Sequence, residues 1–308
     1  MDTVFEGSEK KGEVILQQGA LDLRTLDRAF WVEMVDACAA TILSSIHNEV
    51  CDAYLLSESS LFVWSDHFLL ITCGQTKLVE SILYFLDHFD AQQVAQILFQ
   101  RKNELYSDMQ HSNFSEDVSR LQARVDGVQI AFGDKSSHHT ELFHLEHRYQ
   151  PYPEDRTYEL LMYGIDDESS AYFTQSILTT NDIRQRLRLS EYLEGWDIDD
   201  FVFEPCGYSM NAIKGTRYCT IHLTPQHGYS YVSLETNLNL GEIIEIPLAV
   251  FNPTTFDVVL YQPESIEQIV SLIGADYSIV QEQQKTIDCG YAVTFAHWQR
   301  NAKPLERI

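Results

Sequence analysis

Much of the chain consists of short apolar, β-prone segments separated by stretches with helical periodicity. Residues 52–64 and 67–73 are rich in β-forming side chains, and the Ser65-Asp66 pair between them suits a hairpin turn. In residues 75–89 the apolar positions follow a helical spacing instead. The pattern therefore predicts a pair of strands followed by a helix.

The same order returns further along the chain. Strands are predicted at residues 128–132, 141–149, 157–165, 201–213, 218–224, 230–237, 256–261, 277–284 and 290–297. Helices are predicted from residue 115 and at residues 181–193, 247–251 and 265–273. Sheets that carry helices on one face account for this order, so the pattern indicates the α+β class.

The composition narrows the range of partners. The 308 residues are enough for a sizeable buried core, and the net charge of −25 results from 21 basic against 46 acidic side chains. Such a surface repels phosphate backbones and anionic lipid, which argues against nucleic acid and membrane surfaces as partners. Amines and divalent cations would be attracted.

The cysteines and the first residues indicate a cytoplasmic protein. Six cysteines are scattered without a C-x-x-C pair, which favours neither a zinc knuckle nor a disulfide framework. The start of the sequence lacks the basic and apolar segments of a signal peptide. No apolar run reaches the roughly 20 residues that span a bilayer.

Several short polar segments interrupt apolar strands. Considered singly, each is explained more simply by a bulge or a strand end than by chemistry. Together they match a known pattern in order and nearly in spacing. The segments are residues 5–10 (FEGSEK), 56–60 (LSESS), 72–74 (TCG), 205–211 (PCGYSMN), 220–222 (TIH) and 230–238 (SYVSLETNL).

On these segments the chain resembles the eukaryotic-type S-adenosylmethionine decarboxylase proenzymes, and the resemblance spans almost the whole sequence. The resemblance implies one domain, residues 1–308, built as a four-layer αββα sandwich of two antiparallel sheets with helices on the outer faces. It also implies self-cleavage into residues 1–58 and 59–308. A homodimer remains an open possibility.

The family's reaction explains the residue types. Decarboxylation leaves a carbanion that needs an electron sink, which no side chain provides. The resemblance implies a pyruvoyl group made from Ser59, whose hydroxyl attacks the carbonyl of Glu58. The product would be S-adenosyl-methylthiopropylamine, the aminopropyl donor for spermidine and spermine.

The resemblance also assigns roles by position. Ser209 and His222 match the processing residues, with His222 as the base and Ser209 as a donor to the charged oxygen. Cys73 matches the residue that returns a proton to the decarboxylated carbon. Glu6 and Glu9 match acidic residues near the active site.

Substrate-binding positions follow in the same way. Phe5 and Phe203 match two rings that enclose the adenine, and the backbones of Leu56 and Glu58 match positions that contact its edge. One position departs from the family, because Gln226 stands where a glutamate usually binds the ribose hydroxyls. A glutamine still donates and accepts hydrogen bonds but loses the charge-assisted strength, which leaves an altered substrate open.

A second acidic group matches the family's putrescine site. Buried acids need a diamine or internal bases to compensate their charge. The family's lysine near this site is replaced by Ile71 and a serine by Gln100, which puts the activator in doubt. The matching residues are Glu13, Asp155, Thr157, Glu159 and Glu235.

Three alternatives remain beside this interpretation. The first is a noncatalytic regulatory paralogue, although such a protein should lose Ser59 or its helpers. The second is a pyruvoyl decarboxylase acting on another amino acid. The third is a metal hydrolase, for which alternating polar residues on an exposed strand face are the simpler explanation; we therefore predict no metal. Its residues would be His138, His139, His144, Glu146 and His147.

Overall fold

The computed structural model describes residues 7–104, 106–147, 149–152, 155–226, 228–261 and 266–302. The first half contains β1 (Lys10–Leu16), α1 (Arg28–Ala37), β2 (Ile42–His47), β3 (Asp52–Leu56), β4 (Ser59–Val63), β5 (His67–Thr72), α2 (Leu78–His88), β6 (Val94–Lys102), α3 (Phe114–Gln122), β7 (Gly127–Gly133) and β8 (His139–Leu145). The second half contains β9 (Thr157–Tyr163), α4 (Asp167–Phe173), α5 (Thr180–Arg186), β10 (Asp197–Val202), β11 (Tyr208–Lys214), β12 (Arg217–Thr224), β13 (Tyr231–Thr236), α6 (Glu245–Phe251), β14 (Thr255–Tyr261), α7 (Ile266–Ile273), β15 (Tyr277–Thr286) and β16 (Ala292–Arg300).

The two halves form two eight-stranded sheets with the same strand order. The first sheet runs β2-β3-β4-β5-β1-β6-β8-β7, and the second runs β10-β11-β12-β13-β9-β14-β16-β15. Every observed pairing in both sheets is antiparallel. Each strand of the first half therefore has a counterpart eight strands later.

Alternation along the strands builds the layers. On β9, Tyr158, Leu160 and Met162 pack with residues of the helices that follow, whereas Leu161 and Tyr163 pack with residues of the first sheet. On the first sheet a separate apolar cluster joins the strands to α1, α2 and α3. The four-layer α+β sandwich is confirmed, with the two sheets face to face and helices outside.

Two strand predictions were wrong in the same way. Residues 52–64 form two strands, β3 and β4, joined at Ser57-Glu58, and residues 201–213 span parts of β10 and β11. In the first case the turn lacks the Gly, Asn or Pro that usually marks a hairpin. In the second case Pro205 and Gly207 do mark the break. The described part of the chain has no helix both long and apolar enough to cross a bilayer.

Candidate active site

The turn between β3 and β4 places Ser59 under backbone strain. Leu56 pairs with Ser59, so the connection has two residues, and Thr41 holds it from outside through hydrogen bonds to the backbone and side chain of Ser57. Ser59 has φ 131° and is 1% exposed. A non-glycine residue in this region costs about 1–3 kcal/mol and persists only where the surroundings enforce it. The strain lies at the bond predicted to break.

Cys73 contacts both sides of that bond. Its backbone N–H donates to the Glu58 carbonyl oxygen at 3.0 Å, and its thiol lies 3.6 Å from the same oxygen. The Ser59 hydroxyl donates to Cys73 Sγ at 3.4 Å. A donor already aimed at the carbonyl oxygen would stabilise negative charge developing there when the carbon is attacked. Burial raises the pKa of the Cys73 thiol, which keeps it protonated.

His222 connects the second sheet to the strand that carries Ser59. Its Nδ1 lies 3.0 Å from Ser209 Oγ, and its Nε2 lies 3.3 Å from Ser60 Oγ. Ser60 also donates to Asn211 at 2.5 Å, while Thr220 Oγ1 lies 2.9 Å from His222 Nε2. Burial lowers the pKa of His222 to about 3. The ring is therefore neutral near pH 7, with a lone pair on one of its two nitrogens.

A cavity of about 340 Å³ brings most of the predicted catalytic residues together. Ser59, Cys73, Ser209 and His222 line it, although they come from three strands and the end of a fourth. Pairing explains the convergence, since Ser209 lies opposite His222 and Ser59 opposite Thr72. The further lining residues are Ser57, Glu58, Phe203, Glu204, Pro205, Cys206, Gly207, Tyr208, Leu223, Thr224 and Gln226.

The predicted substrate residues divide into two groups. Phe203, Glu58 and Gln226 line the cavity, and burial raises the pKa of Glu58 to about 6. Leu56 is not among the residues that line the cavity, and its side chain packs in the core beneath the helices. The predicted contact between its backbone and the adenine stays a prediction. Phe5 and Glu6 lie outside the described residues.

The loop that carries Phe203 depends on a glycine. The Phe203 N–H donates to the Gly207 carbonyl at 2.9 Å, which closes the connection between β10 and β11. Gly207 has φ 141°, a conformation that side chains disfavour. The glycine thus lets the loop fold back and hold the Phe203 ring at the cavity wall.

Glu9 lies close to this network but does not line the cavity. It accepts a hydrogen bond of 2.5 Å from Ser233, the residue paired with His222 on the neighbouring strand. Burial raises the pKa of Glu9 to about 8, so the carboxyl is protonated near neutral pH. Glu9 is therefore a neutral group near the site.

The second acidic group contains internal cations that the sequence reasoning missed. Lys11 Nζ lies 3.0 Å from Glu159 and 3.2 Å from Glu235, and Lys102 Nζ lies 2.7 Å from Glu159. Burial would lower the pKa of Lys11, but Glu235 and Glu159 outweigh it and the pKa lies well above its ordinary value. Burial likewise favours neutral Glu159, yet the two lysines lower its pKa to about 2.

Lys11 lies between the two positions that depart from the family. Lys11 pairs with Ile71 on one side and with Gln100 on the other. A positive charge therefore lies on the strand next to Ile71. Gln100 donates to both oxygens of Glu159 at 3.1 and 2.9 Å.

The remaining three residues of this group line a second cavity of about 480 Å³. Glu13, Asp155 and Thr157 border it, while Glu159 and Glu235 do not. Burial raises the pKa of Glu13 to about 7, and burial also raises that of Asp155, which accepts a hydrogen bond of 2.6 Å from Tyr291. The five predicted residues therefore lie in two environments. In one, lysine side chains balance the charge of the acids; the other borders a cavity.

The sequence reasoning missed further residues of the catalytic network. Asn211 and Thr220 lie inside the matched segments but received no role, and Ser60 received no firm one. Alternation on β4 indicates that Ser60 faces the other sheet, as Phe62 does. Lys11 and Lys102 offered no signal, because their partners lie far away in sequence.

The exposed-face interpretation of the histidine cluster was wrong in part. His144 is 2% exposed, and its Nδ1 lies 2.9 Å from the carbonyl oxygen of Leu145. His138 lies in the turn before β8 and contacts the second sheet instead. The five side chains therefore do not share one solvent-facing surface.

Comparisons with known proteins agree with this geometry. The sequence model of the family described as adenosylmethionine decarboxylase matches residues 2–299. The S-adenosylmethionine decarboxylase proenzyme of Dictyostelium discoideum is 31% identical, over 98% of this chain and 87% of the relative. That of Leishmania donovani is 35% identical, over 85% and 74%.

A solved structure is similar as well. The crystal structure of a Trypanosoma brucei AdoMetDC-delta26 monomer superposes with a TM-score of 0.60 and 26% identity, covering 79% of this chain and 99% of the other. The family's sequence model matches the strands of both sheets rather than a single motif. The chain therefore belongs to the adenosylmethionine decarboxylase family.

Proposed function

We propose that this protein removes the carboxyl group of S-adenosylmethionine with a pyruvoyl group that it makes from its own Ser59. The observation that carries the proposal is the strained Ser59 beside a Glu58 carbonyl already bound by the Cys73 N–H. The product would be S-adenosyl-methylthiopropylamine, the aminopropyl donor for spermidine and spermine synthesis. The family and its proenzyme relatives support this proposal.

Self-cleavage begins at the strained bond. Ser59 Oγ bonds to the Glu58 carbonyl carbon, the C–N bond between the residues breaks, and the hydroxyl proton passes to the departing nitrogen. The Cys73 N–H stabilises the carbonyl oxygen while it is negative. Release of the strain at Ser59 favours the resulting ester.

His222 acts in the second step. It accepts the Cα proton of residue 59, the Cβ–Oγ bond breaks, and Glu58 leaves as a carboxylate. The elimination leaves a dehydroalanine enamine, and return of the proton from His222 to Cβ converts it to an imine. Water then hydrolyses the imine, which releases ammonia and leaves the ketone at residue 59. If Ser209 accepts the Nδ1 proton, the lone pair of His222 is on Nε2, the nitrogen that faces Ser60 next to the reacting residue.

The residues around the cavity fit a group at position 59. A pyruvoyl group at this position would supply the electron sink that decarboxylation requires, with its ketone open to the substrate amine. Cys73 is protonated by virtue of its raised pKa, and its sulfur lies 3.4 Å from Ser59 Oγ, so it is placed to return a proton to the carbon. Phe203 offers a ring to the adenine, and Gln226 offers its amide to the ribose hydroxyls.

Release of carbon dioxide tests the proposal directly. Purified protein is incubated with S-adenosylmethionine labelled in the carboxyl carbon, and we expect labelled gas from the wild type and none from Ser59→Ala. A cleaved protein that releases carbon dioxide only from another amino acid would favour the altered-substrate alternative. A stable uncleaved chain that raises the activity of a partner decarboxylase would favour the regulatory paralogue.

The glutamine at position 226 gives a test of substrate identity. Gln226→Glu would restore a charge-assisted hydrogen bond to the ribose, so we expect a lower KM for S-adenosylmethionine with little change in kcat. No change in KM would mean that Gln226 does not contact the ribose.

We propose that Lys11 and Lys102 replace most of the function of a diamine activator. Together they supply the positive charge that Glu159 and Glu235 require, and putrescine could still enter beside Glu13 and Asp155. We therefore expect activity without added putrescine and a small increase with it.

Removing the buried lysine tests this idea. Lys11→Met leaves Glu235 without its cation, and we expect a loss of about 3–5 kcal/mol in the free energy of unfolding, partly restored by putrescine. Lys135→Met is the matched control, because its pair with Glu141 is exposed and worth at most about 1 kcal/mol. Equal effects of the two substitutions would contradict the proposal.

A cytoplasmic location is also proposed. All six cysteines fall in the described ranges, and all six are free thiols. Free thiols are typical of a reducing compartment.

A further inference from the structure

Two histidines and a buried aspartate meet between the sheets, away from the catalytic cavity. Asp257 is fully buried, and its two carboxylate oxygens face different imidazoles. His297 Nδ1 lies 2.6 Å from Oδ1, and His138 Nδ1 lies 3.2 Å from Oδ2. The two rings stack with centroids 3.9 Å apart.

Three separate segments of the chain bring these side chains together. Asp257 on β14 pairs directly with His297 on β16 in the second sheet. His138 belongs to the turn between β7 and β8 of the first sheet. In the first sheet β5, β1 and β6 separate β8 from β4, so the cluster is remote from Ser59.

We propose that His138, Asp257 and His297 bind a divalent first-row metal ion, for which zinc is the best match. Among the described residues they form a group whose potential ligand atoms all lie within 4.8 Å of one another. In tetrahedral zinc sites with bonds of about 2.0–2.2 Å, ligand atoms are about 3.3 Å apart. To admit the ion, the Asp257 oxygens must move outward from 2.6 and 3.2 Å, and the stacked rings must turn so that both Nδ1 lone pairs point at one ion.

The ligand set favours zinc over magnesium or calcium. Two imidazoles and one carboxylate are the donors that suit zinc and its neighbours, whereas magnesium and calcium prefer oxygen alone. Three protein ligands leave one position for water. The His138 side chain is 21% exposed, which gives the ion a path from solvent.

An ion here would join the two sheets rather than take part in catalysis. Its ligands come from the β7–β8 turn on one side and from β14 and β16 on the other. Binding to the folded state alone stabilises it by mass action. The bound form should therefore unfold at a higher temperature than the metal-free form.

Cobalt titration of the chelator-treated protein tests the site. Co²⁺ provides visible bands, and we expect one equivalent per chain, displaced by Zn²⁺, without the charge-transfer band of a thiolate ligand. His138→Gln and His297→Gln should each weaken binding by at least on the order of 100-fold, since even outer-shell partners contribute 10–100-fold. Physiological salt and excess Mg²⁺ suppress nonspecific binding to the acidic surface.

His139→Gln is the matched control, because it changes the neighbouring histidine, which lies outside the group. It should keep wild-type affinity and the rise in unfolding temperature with Zn²⁺, while His138→Gln should lose both. His138 lies in a turn, so this variant decides the matter even if His297→Gln fails to fold. No saturable binding to the wild type, or equal binding by all variants, would overturn the proposal.

Discussion

Two hairpin turns in equivalent positions of the two sheets differ in how they turn the chain. β3 and β4 correspond to β11 and β12, and each pair is joined by two residues. In the second half the positive φ, 58°, belongs to Gly215 in an exposed turn. In the first half the positive φ, 131°, belongs to the buried Ser59.

The difference separates a structural turn from a reactive one. Glycine adopts positive φ at no steric cost, so the second turn stores no strain. Serine at φ 131° costs about 1–3 kcal/mol, which the surrounding strands and Thr41 must enforce. Only in the first turn does the residue with positive φ have a hydroxyl, and it follows a carbonyl that accepts a hydrogen bond from the Cys73 N–H.

The largest expected effect is the loss of cleavage in Ser59→Ala. Without Oγ no ester can form, so the chain should stay whole on a denaturing gel, while the wild type separates into two fragments. Thr216→Ala changes the equivalent turn and should cleave normally. Cleavage of Ser59→Ala at the same bond would mean that another nucleophile acts there.

The next effect concerns stability. Ser59→Gly keeps the positive φ without strain, and we expect it to be about 1 kcal/mol more stable than Ser59→Ala, after allowing for the entropy of glycine. In the other turn the order should be the same, with Gly215→Ala less stable than its Gly215 parent by about 1 kcal/mol when both carry Ser59→Ala, so that neither chain is cleaved. Chemical unfolding of uncleaved proteins measures both differences.

If Ser59→Gly and Ser59→Ala unfold at the same denaturant concentration, the positive φ at Ser59 stores no strain. The cleavage mechanism would then depend on the hydrogen bonds alone. The Gly215→Ala result calibrates the cost of positive φ alone, since a Cβ added at Gly215 meets no atom within 4 Å.

The smallest expected effect concerns pH. The pKa of Glu58 is about 6 because of burial, so its carboxylate forms above this pH, close to the oxygen that becomes negative. Cleavage of the wild type should therefore slow as the pH rises through 6, by on the order of 5-fold for an interaction of about 1 kcal/mol. Glu58→Gln should lack this step in its pH profile. An unchanged profile would place the titration elsewhere.

Most residues of the site could be predicted from the sequence, because they lie in short segments that follow one another in the same order as the family's motifs. Cys73, Ser209 and His222 follow from their motifs, and alternation explains why Ser60 faces the second sheet. The strain at Ser59 was not predictable, since the Ser57-Glu58 turn lacks the residues that usually mark one.

The contacts between the two sheets could not be predicted from the sequence either. Lys11 contacts Glu159 and Glu235, and His138 contacts Asp257, over long stretches of sequence. Local periodicity gives the face of a strand but not the side chain opposite it. The pairing of the buried lysine with the two glutamates therefore depends on how the two sheets pack, which the sequence alone does not give.

The most direct test of the central claim is the intact mass of the two fragments from purified protein. We predict a small fragment that ends at Glu58 with a free carboxylate. We predict a large fragment that begins at residue 59 and is lighter, by one ammonia, than a chain starting with serine, and that gains hydrogen on treatment with borohydride. A large fragment with an ordinary amino-terminal serine, or an active protein that remains whole, would contradict the account.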